Sequence, residues 1–193
     1  MEEHAEQWRL IPAYLKTRGM AKPHITSFNY LVETELQQIV DSDNLVRSEV
    51  FPEFYLKYHS IWVGEPEEPG ERWNPRAITP MECRLRDLTY AAPVRVKVEY
   101  FKMGGRTGGK GHIVQNVFTI GYLPIMLRSN SCVLSKCKTD EDFAKVSECP
   151  KDPGGYFIVN GNEKVLLIQE QLVNNRILVE IDKKDCVRAS VTR

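Results

Sequence analysis

No two cysteines of this chain stand in a C-x-x-C pair, and the five present, Cys83, Cys132, Cys137, Cys149 and Cys186, make an odd number. A scattered, odd set argues against a disulfide framework, and structural zinc needs paired thiolates or Cys/His clusters at short spacing. Cys132 and Cys137 form a lone pair with no second pair nearby, so reduced, mostly buried thiols are expected and no metal site. Long apolar runs are also missing. The longest, around Val165 to Ile168, falls far short of the roughly 20 residues a membrane span needs. The opening MEEHAEQW is acidic and lacks an apolar signal region, so a protein made and kept inside the cell, with no membrane partner, is expected. Nor is there an excess of charge: 26 basic residues balance 26 acidic ones. No overall field draws the chain onto DNA or an anionic membrane, and any nucleic-acid contact must come from a local patch. Finally, His4, His24, His59 and His112 lie far apart, none beside a serine or cysteine motif, so no nucleophile–base arrangement is legible and no catalytic residue is expected.

What is present is the patterning of a folded domain. A chain of 193 residues that is 42% hydrophobic can bury a core and suggests one domain or slightly more. Trp8, Ile11 and Leu15 fall at helical spacing, with Pro12 in a first turn and Gly19 as a stop. From His24, the residues Ile25, Phe28, Leu31, Val32, Leu36, Ile39 and Val40 mark one continuous apolar face opposite Glu33, Glu35, Gln37 and Gln38. Phe54 to Val63 reads as a strand, followed by a Pro/Gly-rich loop. Thr79-Pro80-Met81-Glu82 has the form of a capping box opening a short helix through Leu88.

Val94, Val96, Val98 and Tyr100 alternate with Arg95, Lys97, Glu99 and Phe101, as in a strand with one face in the core, and its partner is expected at Ile113 to Ile120. Thr139 to Val146 suits a short helix. Tyr156 to Val159 and Lys164 to Gln169 flank Asn160-Gly161, the favoured pair for a two-residue hairpin turn. Val165 to Ile168 is apolar on both faces, which predicts a central strand covered above and below. Arg176 to Ile181 and Cys186 to Thr192 suggest another hairpin around DKKD, its second strand running to the end of the sequence. The fold class is therefore α+β, a mixed but mainly antiparallel sheet with amino-terminal helices, and it looks incomplete.

One motif misleads. Gly104 to Gly111, GGRTGGKG, nearly fits the phosphate-wrapping G-x-x-x-x-G-K-[ST] loop. Gly111 stands where a hydroxyl should bind magnesium, and a strand follows where a helix should aim its amino terminus at the phosphates. A hairpin tip is the better reading.

Four segments resemble, in order and spacing, the second-largest, beta-like subunits of DNA-directed RNA polymerases. They are HITSFNYL (24 to 31), ECRLRDLTYAAPV (82 to 94), LPIMLRSNSCVL (123 to 134) and DPGGYFIVNGNEKVLLIQEQL (152 to 172). FYLKYHSIWVGEP (54 to 66), ECRLRD and QEQLVNNRI (169 to 177) look most like the nuclear RNA polymerase III form. The likeness covers about residues 8 to 181, and the hairpin segment MGGRTGGKGH is longer than is usual in that family. Members of the family are several times longer than this chain.

The resemblance implies that residues 1 to 193 form the amino-terminal part of the domain called the protrusion, with the next, lobe region starting near 181 to 193. It implies an enzyme that makes RNA from ribonucleoside triphosphates on a DNA template, for class III small non-coding RNAs in the nucleus, with this segment as a cleft wall near upstream DNA and the RNA–DNA hybrid. The implied partners are that DNA and hybrid, the largest subunit and other polymerase subunits. Magnesium, held largely by aspartates of the largest subunit, and zinc in a later part of this subunit are implied for the whole enzyme, with no cofactor here. The nucleic-acid-binding candidates implied by the two most specific motifs are Arg128, Lys164, Gln169, Gln171 and Arg176, acting on phosphates without reading sequence. Against these, Lys164 could simply solvate a hairpin, and Gln169 and Gln171 could satisfy backbone groups. Arg84 and Arg86 with Glu82 and Asp87 read as structural ion pairs at a helix end. The alternative is a short, non-catalytic interaction module derived from such a subunit, against which the uncapped edge at Val187 to Arg193 argues.

Overall fold

The computed structural model of the chain describes residues 8–51, 54–68, 76–102, 111–169 and 171–192. The glycine-rich segment, apart from Gly111, lies outside these residues, as do most of the Pro/Gly-rich loop and Arg193.

Helix α1 spans Ile11–Arg18, with Pro12 in its first turn. It stops where expected: Gly19, at φ 63°, donates its N–H to the Leu15 carbonyl. Helix α2, Lys22–Tyr30, starts before His24, because Pro23 is pre-set for a first turn. It runs through a π-helical turn, Leu31–Glu35, into α3, Leu36–Ser42. The widened turn splits the expected continuous apolar face: Phe28 is buried while Ile39 points to solvent. Gln37, expected on the polar face, instead caps an open strand edge. Its Oε1 accepts from Ile61 N–H at 3.1 Å and its Nε2 donates to the His59 carbonyl at 3.3 Å.

The main sheet joins β1, Leu45–Arg47, β2, Tyr55–Val63, β3, Ala91–Lys102, and β4, His112–Pro124, in sequential order and antiparallel throughout. The expected pairing of the Val94 strand with Ile113 to Ile120 is present and longer than expected. Register shifts at Tyr58/Ser60 and Val94/Arg95 bend the sheet. Between β2 and β3, helix α4 covers Pro80–Leu85, so it ends before the expected Leu88. The Thr79 hydroxyl accepts from Glu82 N–H, but the reciprocal half of the box is absent: the Glu82 carboxylate turns to Arg76 and Arg86. Two strong cations outcompete one backbone amide.

After β4 come a 3₁₀ turn, Val133–Lys136, helix α5, Asp140–Lys145, and two hairpins: β5, Phe157–Val159, with β6, Asn162–Lys164, and β7, Ile177–Ile181, with β8, Val187–Val191. The Asn160-Gly161 turn forms with both residues at positive φ, 49° and 74°. The strand expected over Lys164 to Gln169 stops at Lys164. Val165 to Ile168 is not a covered central strand: all four side chains are exposed, Leu167 by 85%, and among the described residues no strand pairs with them. Two-sided hydrophobicity reports that a segment needs cover but does not name what supplies it. Among the described residues no helix is long and apolar enough to cross a membrane.

Helix α5 carries a complete capping box between Thr139 and Asp142. Hydrogen bonds from Lys145 and Thr139 hold the Asp142 carboxyl down at about 2, below its ordinary 3.8. A depressed folded-state value stabilises above 3.8, and that contribution is lost as pH falls towards 2. The Asp142→Asn chain is expected to show a shallower loss of stability across this acid window in pH-dependent urea unfolding. Identical slopes would mean the box contributes nothing.

The core gathers at one end of the sheet. Tyr90 and Ala92 at the start of β3 and Ile125 to Leu127 after β4 pack with Phe28, Cys83, Cys132, Leu134, Phe143 and Ile158. Tyr90 is fully buried, which pushes its phenol up. The phenolic oxygen accepts from Val133 N–H at 3.1 Å and lies 3.6 Å from Cys132 Sγ, which itself accepts from Leu134 N–H. Cys132 is thus a packing and capping residue.

Candidate nucleic-acid interface

The four segments quoted above meet in space. Phe28 of the first stacks edge-on against Phe157 of the fourth, with ring centroids 5.7 Å apart, and Asn29 Oδ1 accepts from Asn130 N–H of the third at 2.9 Å. Tyr90 N–H of the second donates to the Ile158 carbonyl, Ile125 N–H to the Tyr90 carbonyl, and Leu127 N–H to the Tyr156 carbonyl. The β5–β6 turn is clamped on two sides. Gly161 N–H donates to the Leu88 carbonyl at 3.0 Å, and Thr89 Oγ1 both donates to Asn160 Oδ1 and accepts from Asn160 N–H.

Arg84 is the hub beneath this hairpin. Its Nε donates to Glu163 at 2.8 Å, its Nη1 to Glu148 at 2.7 Å and its Nη2 to the Tyr156 hydroxyl at 2.9 Å. Burial pulls the guanidinium pKa down, but the hydrogen bonds to Glu148 and Glu163 outweigh it and leave the pKa raised. Tyr156 in turn donates to Asp152, whose other oxygen accepts from Gly154 N–H and so folds the Asp-Pro-Gly-Gly turn. The expected structural role for Arg84 and Arg86 holds, with Glu82 as an expected partner of Arg86 and the others new. Arg86 pairs with Glu82 and Glu68, and Arg84 reaches acids 64 and 79 residues away, while Asp87 takes no part in these pairs. Glu148, Glu163, Asp152 and Tyr156 were not legible as one network, because only the fold brings them to Arg84.

Arg128 is at positive φ, 64°, with its guanidinium 4.6 Å from the centre of the Phe143 ring and its Nη2 donating to the Cys149 and Pro150 carbonyls. It is half-buried and holds the 149–150 loop. Lys164 closes β6 opposite Phe157, exposed. Gln169 and Gln171 are exposed further along the chain, and Arg176 stands exposed just before β7. Among the described residues Lys164, Gln169, Gln171 and Arg176 make no side-chain hydrogen bond or ion pair. Lys164 is thus a charge with no partner among the described residues, on a hairpin held at its turn and by Glu163; the other three sit further along the chain. Among the described residues no three His, Cys, Asp or Glu side chains gather around a possible metal position.

A family profile described as RNA polymerase beta subunit matches residues 19–180. The chain is similar to DNA-directed RNA polymerase III subunit RPC2 of Saccharomyces cerevisiae, 50% identical over 97% of this chain and 16% of that protein. It is 46% identical to DNA-directed RNA polymerase III subunit 2 of Arabidopsis thaliana, over 97% of this chain and 16% of that protein. With DNA-directed RNA polymerase subunit Rpo2 of Saccharolobus solfataricus it is 39% identical over 92% of this chain and 15% of that protein. The chain spans about a sixth of the length of these curated relatives, 15% to 16% of each.

Proposed function

The chain belongs to the RNA polymerase beta subunit family, and from that premise we propose that it is the protrusion part of the second-largest subunit of a nuclear, class III DNA-directed RNA polymerase. The observation that carries the class is the higher identity to eukaryotic polymerase III subunits than to the archaeal subunit along nearly the whole chain. In this reading residues 1–193 contribute the amino-terminal part of the protrusion, and the lobe region begins near 181–193. The whole enzyme polymerises ribonucleotides on a DNA template into small non-coding RNAs. This segment is a wall of its cleft, beside upstream DNA and the RNA–DNA hybrid, in contact with the largest subunit and other subunits.

Its own work is grip. Lys164 would neutralise a phosphate from a hairpin that the Arg84 network holds rigid. Arg176 would do the same, while Gln169 and Gln171 would donate hydrogen bonds to phosphate oxygens. Arg128 would act indirectly, its guanidinium holding the 149–150 carbonyls while its side-chain stem backs Gly154 of the Asp-Pro-Gly-Gly turn. The reading assigns magnesium largely to the largest subunit and zinc to a later part of this subunit.

Two experiments test this. Full-length tagged subunit purified from cells is expected to bring down the largest subunit and the other polymerase subunits; recovery without them would sink the reading. Lys164→Ala in the assembled enzyme is expected to make elongation complexes dissociate at lower salt, with the slope of log K against log salt shallower by about 0.9. An unchanged slope would remove Lys164 from the interface.

A further inference from the structure

We propose that the outward face of the four-stranded sheet docks a second protein of the assembly, one that presents carboxylates around an apolar patch to Arg47, Lys57 and Lys97. Strand register builds the face. Val96 and Val98 of β3 point into the core, so alternation sends Arg95, Lys97 and Glu99 to the opposite side. Directly opposed residues share a face, which extends this row both ways. Lys57 and Gln115 flank Glu99, Ser60 and Val117 flank Lys97, Trp62 and Thr119 flank Arg95, and Leu45 lies beyond Lys57. Arg47 stands two residues along β1 from Leu45, opposite Tyr55, and Ile113 continues the same side of β4 from Val117 and Gln115.

The face carries a surplus of positive charge with no internal answer. Glu99, opposite Lys57 and only 16% exposed, accepts from Gln115 Nε2 at 2.8 Å and from the Tyr55 hydroxyl at 3.2 Å, and lies 3.1 Å from His59 Nε2. Its acceptor capacity is spent on these three groups. Arg95 is offset by Glu67, 3.5 Å away. Among the described residues Arg47, Lys57 and Lys97 form no ion pair. Three cations therefore remain for acids brought by a partner, and complementary charge of that kind fixes orientation and speeds encounter.

What lies between the cations identifies the occupant as protein. Leu45 and Trp62 are exposed, as are Val117 and Ile113, by 53% and 59%. Aliphatic side chains offer nothing to a phosphate, and the Glu99 carboxylate beside Lys57 repels one, so the cations make no continuous track for a nucleic-acid backbone. Against a protein the same pieces fit: aromatic and aliphatic side chains supply the apolar contact, and the cations meet the partner's acids. The partner is a separate subunit. A later part of the same chain folding onto the sheet would bury it as a core, which has no place for three cationic side chains, whereas interfaces between separately folded proteins are about as polar as ordinary surface. The inference rests on the reading that the chain works inside a multisubunit polymerase, and says where one neighbour sits and what it carries.

The test uses the assembled polymerase, purified through tagged full-length subunit and treated with a carbodiimide, which joins a lysine amine to a carboxylate only when the two are in contact. Lys57 or Lys97 is expected to be linked to an aspartate or glutamate of another subunit, located by mass spectrometry of the joined peptides. Lys57→Glu combined with Lys97→Glu is expected to weaken retention of that subunit by about tenfold in a salt-wash series, and changing the linked acid to lysine is expected to restore it. Links confined to this subunit, or no link from either lysine, overturn the proposal, as does protection of both lysines from acetylation only when DNA is added. The link is read on the unaltered enzyme, so it decides the matter even if the double variant does not assemble. An enzyme that assembles without these links leaves the proposed function standing and removes this surface, whereas a full-length subunit that recovers no other subunit overturns both.

Discussion

Arg84→Ala is expected to lower the stability of the chain by about 3 kcal/mol, the low end of the cost of breaking a buried ion pair from one side. The charge left behind decides the size. Glu148 is only 5% exposed, and losing Arg84 strands its carboxylate without its cation, whereas Glu163, 54% exposed, returns to water at little cost. Tyr156 loses the guanidinium N–H on its oxygen but keeps Asp152. With a urea dependence of about 2 kcal/mol per molar, the unfolding midpoint should fall by about 1.5 M. Arg84→Lys restores a charge but not the three-pronged fork, so it should recover less than half the loss. A midpoint within about 0.3 M of the parent for Arg84→Ala would mean that the network is ornamental and that core packing alone fixes the hairpin.

The same residue shows where the sequence stops being informative. Local chemistry was legible: Gly19 as a helix stop, the Thr79 hydroxyl as a cap, the Asn160-Gly161 turn and the alternation along β3 are all decided within a few residues. Acids at Glu148 and Glu163 cannot be assigned to Arg84 from spacing, because nothing local fixes contacts over such separations. Of the closer acids, Glu82 pairs with Arg86 as expected, while Asp87 forms no ion pair among the described residues. The π-helical turn at Leu31–Glu35 was equally hidden, since periodicity assumes 3.6 residues per turn and a single wide turn redirects everything after it.

Of the candidate interface, the motifs were legible but the division of labour was not. Arg128 and Lys164 look alike in sequence as cations in family motifs. The fold separates them, since Arg128 folds back over Phe143 and the 149–150 carbonyls while Lys164 stays in solvent. The apolar tract at Val165 to Ile168 errs in the other direction: its composition demands cover, and the described residues do not supply it.

Gly154→Ala is expected to cost about 3 kcal/mol and to disturb its surroundings, whereas Gly19→Ala is expected to cost only what its own backbone angles impose. Gly19 sits at φ 63° and ψ 179°, a nearly glycine-only combination worth about 1 to 3 kcal/mol for a residue with a Cβ, and Gly154 sits at φ 68°. The difference is space. A Cβ at Gly19 meets nothing within 4 Å, whereas one at Gly154 would lie 2.7 Å from the Leu127 carbonyl oxygen and 2.9 Å from Arg128 Cβ. Neither neighbour yields easily: the Leu127 carbonyl accepts from Gly155 N–H, and the Arg128 side chain is pinned over Phe143. Relief would require the Asp-Pro-Gly-Gly turn to lift, which loosens Tyr156 and with it the Arg84 network. Gly154→Ala should therefore also speed hydrogen exchange at Tyr90 and Gly161, whose amides bond across this junction, while Gly19→Ala should leave both unchanged. Unchanged exchange at Tyr90 and Gly161 in Gly154→Ala would show that strain alone sets the cost and that the turn is free to move, and a mobile turn could not hold Lys164 in register against a phosphate.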